Sequence, residues 1–389
     1  MDIRIEPGLL RGSVMPPASK SVAHRVILAQ ALAGQAIPPA REGDSQDMEA
    51  TRRCVAALRA ATPGQLPRLD CGESGSTLRF FIPVALAVAG GGLFTGSARL
   101  MERPQQPYFD IFDAQGIAHA YEGGSLRVEG TLRSGEFPLP GNVSSQFVTG
   151  LLYALPLLPG DSSIVMTSPL ESRGYVDLTL ATLHRFGIQV DTQDYTEFFI
   201  PGGQHFLPRD AAVEADWSQA GFWYAAQLLG SEVTVEGLDP HSAQGDRVVE
   251  DLARRLRQPG DMEIDVSDCP DLLPPLAVMA AVRSGTTAFV NAARLRIKES
   301  DRLTTTCRLL TALGGQAREG ADSLTVCGQP YLTGGTVDGA NDHRIVMAAA
   351  IAATACRTPV TILGAEAVRK SYPRFWEDYT RLGGKTHVL

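Results

Sequence analysis

Six copies of one helical pattern run through this chain, and they leave few architectures open. Each copy starts on a polar residue and continues as a small-residue-rich apolar run of helical length. The runs are KSVAHRVILAQALAG from Lys20, SGSTLRFFIPVALAVAG from Ser74, SSQFVTGLLYALPLLPG from Ser144, DWSQAGFWYAAQLLG from Asp216, DLLPPLAVMAAVRSG from Asp271 and DHRIVMAAAIAATAC from Asp342. Their starts are 54, 70, 72, 55 and 71 residues apart. After each comes a short stretch, β-like in most copies (SSIVMT, EVTVEG, TTAFVN, PVTILG), and then a second, amphipathic segment. Five of these second segments end on a glycine, as in YVDLTLATLHRFG and FWEDYTRLGG. The unit is therefore helix, strand, helix and one or two strands, with glycine closing the helices.

The first helix of each unit is apolar nearly all round, which predicts a place inside a domain, while the second carries one apolar stripe and belongs outside. Ser and Asp at the inner-helix starts are ordinary N-caps when taken singly. A helix start also presents unbonded N–H groups and the positive end of the dipole, which favour anions. Three of the six add an arginine in the first turn or two (Arg25, Arg79, Arg344), and the set together points to anionic ligands.

With 389 residues, 44% of them hydrophobic, the chain has room for two domains. A net charge of −8 argues against nucleic acid as a partner. The first residues lack the basic start and apolar core of a secretion signal. The longest apolar run, Phe80 to Phe94, is broken by Pro83 and by Gly90, Gly91 and Gly92, so a cytoplasmic protein with no membrane span is expected. Six scattered cysteines, with no C-x-x-C pair, predict reduced and mostly interior thiols and no metal site. The three tryptophans, Trp217, Trp223 and Trp376, sit at apolar helical positions and are read as core.

Four lysines stand against 31 arginines. An exposed cation is served by either residue, but a compact charge or a transferable proton requires lysine. Lys20, Lys298 and Lys370 lie in polar contexts (SKS, IKESDR, RKSYP) and are candidates for chemistry; Lys385, near the C-terminus, is read as solvated.

Eight motifs, in order, carry a resemblance: SKSVAHR (19–25), GESGSTLR (72–79), MERP (101–104), VSSQF (143–147), Pro270-Asp271, RIKESDR (296–302), NDHR (341–344) and RKSYP (369–373). The chain thereby resembles the enolpyruvylshikimate phosphate synthase family, the 3-phosphoshikimate 1-carboxyvinyltransferases. The resemblance implies an α/β fold of two similar domains, each of three βαβαββ units in an inside-out α/β barrel, closing on a hinge around the substrates. Residues 15–213 would form one domain, and residues 1–14 with 214–389 the other, the first strand joining the C-terminal domain.

The reaction so implied adds a hydroxyl of shikimate 3-phosphate to C2 of phosphoenolpyruvate as C3 gains a proton, then expels phosphate as C3 loses one. It needs cations for a phosphate and two carboxylates, and groups that act as acid and base in both directions. Carried over residue by residue, phosphoenolpyruvate would meet Lys20, Arg79, Arg103, Gln146, Arg302, Arg344 and Lys370, with Gly75 allowing close approach to backbone. Shikimate 3-phosphate would meet Lys20, Ser21, Arg25, Ser144, Ser145, Gln146, Ser172, Asp271 and Lys298, with Tyr175 helping through packing or its hydroxyl. Asp271 would take the proton from the attacked hydroxyl, and Glu299 with Lys20 would serve C3; the division of these roles stays open. No cofactor is implied, and the enzyme is expected to act as a monomer.

His24 and His343 are read as capping or packing residues, Asp342 as a cap that orients its neighbours, and Arg296 as part of an exposed ion pair. Three departures from the family pattern stand out. Glu73 and Ser76 replace the asparagine and threonine of the phosphoenolpyruvate loop, which bears on the fit of the inhibitor glyphosate. Arg294 stands where asparagine is common. The segment from Gln35 to Asp70 is short, as if the first unit had lost a strand pair. The related transferase acting on UDP-N-acetylglucosamine is the nearest rival. It usually carries a loop cysteine near the MERP position, and here no cysteine lies between Cys71 and Cys269. The rival from another class, a non-catalytic phosphate-binding relative, would have lost Lys20, Asp271 or Glu299, and all three are present.

Overall fold

All six small-residue runs are helices in the computed structural model, which describes residues 1–40, 43–62 and 64–389. They span Lys20–Leu32, Gly75–Ala89, Ser145–Ala154, Trp217–Leu228, Leu273–Ala281 and His343–Ala352. Every residue of the last two is buried. The second segments form Gln46–Arg59, Gln106–Gln115, Arg173–Arg185, Val249–Leu256, Arg302–Ala312 and Phe375–Arg381. Val249–Leu256 shows their one-sided character, burying Val249, Leu252, Ala253 and Leu256, a single stripe at helical spacing. Each large side chain so buried contributes about 1.5–3 kcal/mol.

Two units divide the chain. Met1–Ser19, Gly43–Ser45 and Glu214–Leu389 make a terminal unit; Lys20–Glu42 and Gln46–Val213 make an inserted one. In the terminal unit the segments flanking the insertion run side by side, with Ser19 N–H donating to the Glu214 carbonyl at 2.7 Å and Asp216 N–H to that of Pro17 at 2.9 Å.

Four sheets repeat one order: a parallel pair, then two antiparallel strands. The inserted unit holds Arg68–Asp70, Gly91–Thr95, Ser125–Glu129 and Ala118–Glu122 in one sheet, and Glu136–Leu139, Ser162–Met166, Glu197–Ile200 and Asp191–Gln193 in another. The terminal unit holds Met262–Asp265, Thr286–Val290, Leu324–Cys327 and Gln316–Glu319 in one. Its other sheet runs Gly335–Asp338, Val360–Leu363, Ile3–Glu6, Lys385–Val388, so the N-terminal strand completes the last repeat.

The terminal unit adds a two-stranded ribbon, Arg11–Val14 with Glu232–Val235. The inserted unit has no counterpart among the described residues: Gln35 instead accepts from Arg209 N–H through its side-chain oxygen at 3.0 Å. The fourth unit, with an almost equally short step of 55 residues, keeps the ribbon, so the shortness of the first step is not by itself the reason the pair is missing.

Trp217 and Trp223 are buried in the terminal core, and Trp376 packs half-buried against it. Four of the six cysteines are buried and all are free thiols. No helix of the described residues is long and apolar enough to cross a membrane.

Candidate active site

Four inner-helix starts are capped by their own polar residue. The side chains of Ser74, Ser144, Asp216 and Asp342 accept backbone N–H bonds from Thr77, Gln146, Gln219 and Arg344 at 3.0–3.3 Å. Among the three aspartate starts Asp271 is the exception. It lies in a 3-10 turn, Pro270–Leu272, and the helix that follows is capped by Leu272 without a side-chain bond. Its carboxylate is left for other partners.

In the inserted unit, Arg25 is 4% exposed and donates to the Thr179 hydroxyl at 2.8 Å and to the carbonyls of Ser21 and Tyr175 at 2.7 Å each. These acceptors are neutral, and burial pushes the guanidinium pKa down to about 10. An anion brought to such a cation would repay part of its desolvation, although neutral oxygens alone do not mark a ligand site: Arg283, 6% exposed, is held the same way by three carbonyls and the Thr287 hydroxyl. Tyr175 meets Arg25 through its carbonyl. Ser172, 2% exposed, takes a left-handed backbone (φ 58°) at the start of Arg173–Arg185, a strained conformation for a side-chain-bearing residue. Lys20 reaches Asp47 at 2.9 Å, with 15% of its side chain exposed.

Arg79, 1% exposed, donates to the Gln146 side-chain oxygen at 2.8 Å and to the Pro104 carbonyl at 3.2 Å, and Gln146 in turn donates to the Ser76 hydroxyl at 2.9 Å. A Cβ on Gly75 would fall 2.4 Å from Nη1 of Arg103, so glycine there lets that buried guanidinium lie against the backbone. Lys20, Ser21, Arg25, Arg79, Arg103, Ser144, Ser145, Gln146, Ser172 and Tyr175 all belong to this unit.

The terminal unit gathers Asp271, Lys298, Glu299, Arg302, Arg344 and Lys370. Arg302, 1% exposed, is the hub: it donates to Asp342 at 2.8 Å, to Asp271 at 2.8 Å and to Glu299 at 2.7 Å. It is no exposed ion pair, unlike Arg296, which bonds Asp301 at 2.7 Å in a half-exposed setting. Arg344 donates to the other oxygen of Asp271 at 2.8 Å and to the Ser218 hydroxyl at 3.0 Å, and Lys298 stands 3.5 Å from Asp271. Lys370, 5% exposed, donates to the Asn341 carbonyl at 2.5 Å. Asn341 and Ala340 before Asp342 both have φ near 50°, so backbone strain sits at this helix start too.

Burial pushes the Asp271 carboxyl up, but Arg344, Lys298 and Arg302 outweigh it and hold it well below the usual carboxylate range. Burial pushes Lys298 down to about 8, with Arg302 and Arg294 adding to the shift and Asp271 opposing it. Arg294, given no role from the sequence, adds only slightly to that shift. Burial, helped by Lys20 and Arg25, holds His24 well below its ordinary value, so it is a neutral packing residue whose Nδ1 lies 2.6 Å from the Thr51 hydroxyl.

Several partners escaped the sequence reading. Asp47, Thr179 and Ser218 lie in stretches with no motif of their own. Asp342 does more than cap: its carboxylate, 0% exposed, also takes Arg302 and the Ser300 hydroxyl, at 2.8 and 2.9 Å. Its place between Asn341 and two basic residues was the available signal. Of the four lysines, the three in polar contexts line these clusters and Lys385 is exposed.

Repeated α/β units whose inner-helix starts carry buried guanidinium and carboxylate groups define an anion-handling protein of the inside-out α/β barrel class. Known proteins narrow this. The family model for EPSP synthase (3-phosphoshikimate 1-carboxyvinyltransferase) matches residues 5–379, and the chain belongs to that family. It is 42% identical to the 3-phosphoshikimate 1-carboxyvinyltransferase of Clostridium kluyveri, over 98% of this chain and 97% of the relative, and 41% identical to that of Clostridium novyi, over 98% of each. The fold is shared with EPSP synthase from Acinetobacter baumannii at a TM-score of 0.77 and 23% identity, each chain covered completely.

Proposed function

We propose that the chain transfers the enolpyruvyl group of phosphoenolpyruvate to the 5-hydroxyl of shikimate 3-phosphate by addition and elimination, releasing phosphate. The observation that carries this reading is Asp271, a carboxylate released from capping and clamped between Arg302 and Arg344, with Lys298 and Glu299 beside it. Both arginines are ligands for phosphoenolpyruvate. An anion that draws them away from Asp271 removes the charges that depress its pKa and makes it a stronger base when substrate is present. The O5–C2 bond forms as Asp271 takes the hydroxyl proton and C3 is protonated. Loss of phosphate from C2 then accompanies return of the C3 proton, with Glu299 and Lys20 serving C3.

Arg25, Ser172 and the Ser144–Gln146 helix start hold shikimate 3-phosphate; Arg79, Arg103 and Lys370 complete the phosphoenolpyruvate set. The chemistry calls for no cofactor and no macromolecular partner. Phosphate release from phosphoenolpyruvate should depend on shikimate 3-phosphate and not respond to UDP-N-acetylglucosamine; release with the second acceptor alone overturns the assignment.

Lys20→Arg keeps the charge beside Asp47 but lacks a proton it can give up, and kcat should fall by about a hundredfold or more. A mild defect in steady-state assays removes Lys20 from proton transfer. Lys298 carries charge for shikimate 3-phosphate only below its depressed pKa. Affinity measured calorimetrically should hold at lower pH and decline as pH rises through about 8. Lys298→Arg should abolish that decline, and an inflection retained in the variant assigns it to another group.

A further inference from the structure

The Gly75–Ala89 helix contains Pro83. In an α-helix the carbonyl of Arg79 accepts the N–H of residue 83, and proline has none. A buried carbonyl deprived of its donor is costly unless another donor is supplied.

Tyr108 supplies it. This residue, 0% exposed on the Gln106–Gln115 helix, places its hydroxyl 2.8 Å from the Arg79 carbonyl and 3.0 Å from that of Phe147, sharing one hydrogen between them. Burial pushes the phenol well above its ordinary pKa, which keeps that hydrogen in place. The Tyr108 ring meets the Phe147 ring edge-on at 4.8 Å, and the Arg79 guanidinium lies 4.7 Å from the same Phe147 ring. Room for this arrangement comes from Gly150, where a Cβ would fall 2.2 Å from the Tyr108 oxygen and 2.4 Å from the Arg79 carbonyl oxygen.

We propose that Tyr108 is a positioning residue for Arg79: its hydroxyl replaces the bond that Pro83 removes and fixes both the backbone that carries the guanidinium and the ring beneath it. The proposal rests on the assignment of Arg79 to phosphoenolpyruvate. Neither motif nor periodicity marks Tyr108, since the device needs three helices and a proline in register.

Tyr108→Phe should raise KM for phosphoenolpyruvate about five- to tenfold, leaving kcat and KM for shikimate 3-phosphate within about twofold. Adding Pro83→Ala restores an N–H to the Arg79 carbonyl and should return KM for phosphoenolpyruvate to within about twofold of the parent. An unchanged KM in Tyr108→Phe overturns the proposal. So does a defect shared by both substrates that Pro83→Ala does not relieve, since that is the behaviour of general loosening. Arg79→Lys separates the two layers. If it leaves KM for phosphoenolpyruvate unchanged, the Arg79 assignment fails and the proposal with it; if it raises KM while Tyr108→Phe does not, only the role of Tyr108 fails.

Discussion

Asp271→Asn should lower kcat by about a thousandfold while leaving KM for phosphoenolpyruvate unchanged or reduced. The amide keeps the shape of the side chain and can still accept a hydrogen bond, so the 3-10 turn at Pro270–Leu272 has no reason to move. It cannot take a proton from the attacked hydroxyl. It also no longer competes, as an anion, for Arg302 and Arg344, each 2.8 Å away in the parent. A residue that merely braced the two arginines would show the opposite pattern, a weakened KM with kcat largely kept. Steady-state kinetics with both substrates varied distinguish these, and near-normal turnover excludes Asp271 as the base.

The second large effect concerns stability. Asp342 is completely buried, holds Arg302 through both oxygens at 2.8 and 3.3 Å, accepts the Ser300 hydroxyl at 2.9 Å and caps His343–Ala352. Asp342→Ala strands part of the charge on a guanidinium that is itself 1% exposed, at about 3–5 kcal/mol, with about 1 kcal/mol more for the lost cap. Asp342→Asn keeps the cap and one acceptor and should lose clearly less. Urea unfolding, followed through the terminal unit's tryptophans, checks the ordering. A loss under about 1 kcal/mol in the alanine variant means that Asp271 and Glu299 suffice to hold Arg302.

Much of the fold was legible because its signal is local. An inner helix has to be small and apolar on every side, an outer one apolar on a stripe, and a left-handed glycine such as Gly90 or Gly116 ends several of them without steric penalty. Scarcity of lysine was legible for a chemical reason, since guanidinium serves a surface as well as ammonium does but cannot release a proton. What stayed hidden are pairings across long separations. Lys20 and Asp47 are 27 residues apart, Arg25 and Thr179 154, Asp271 and Arg344 73. The ribbon shows the boundary well: the first and fourth steps are almost equally short, and only strand pairing says that the fourth unit keeps the ribbon while the inserted unit has no counterpart among the described residues.

Asp216, Asp271 and Asp342 mark the difference most sharply. Each stands at the head of an apolar run, and each could be read as an N-cap from its neighbours alone. The sequence by itself determined the six units, which side of each helix is buried, and that cations and acids cluster at the inner helix starts, because those depend on residue type and spacing. Tertiary structure decided that one of these aspartates is clamped by two arginines, that another is cap and counter-ion at once, and that a tyrosine hydroxyl stands in for a missing amide. A carboxylate's basicity, and a carbonyl's partner, are set by the charges and donors that packing brings within about 3 Å.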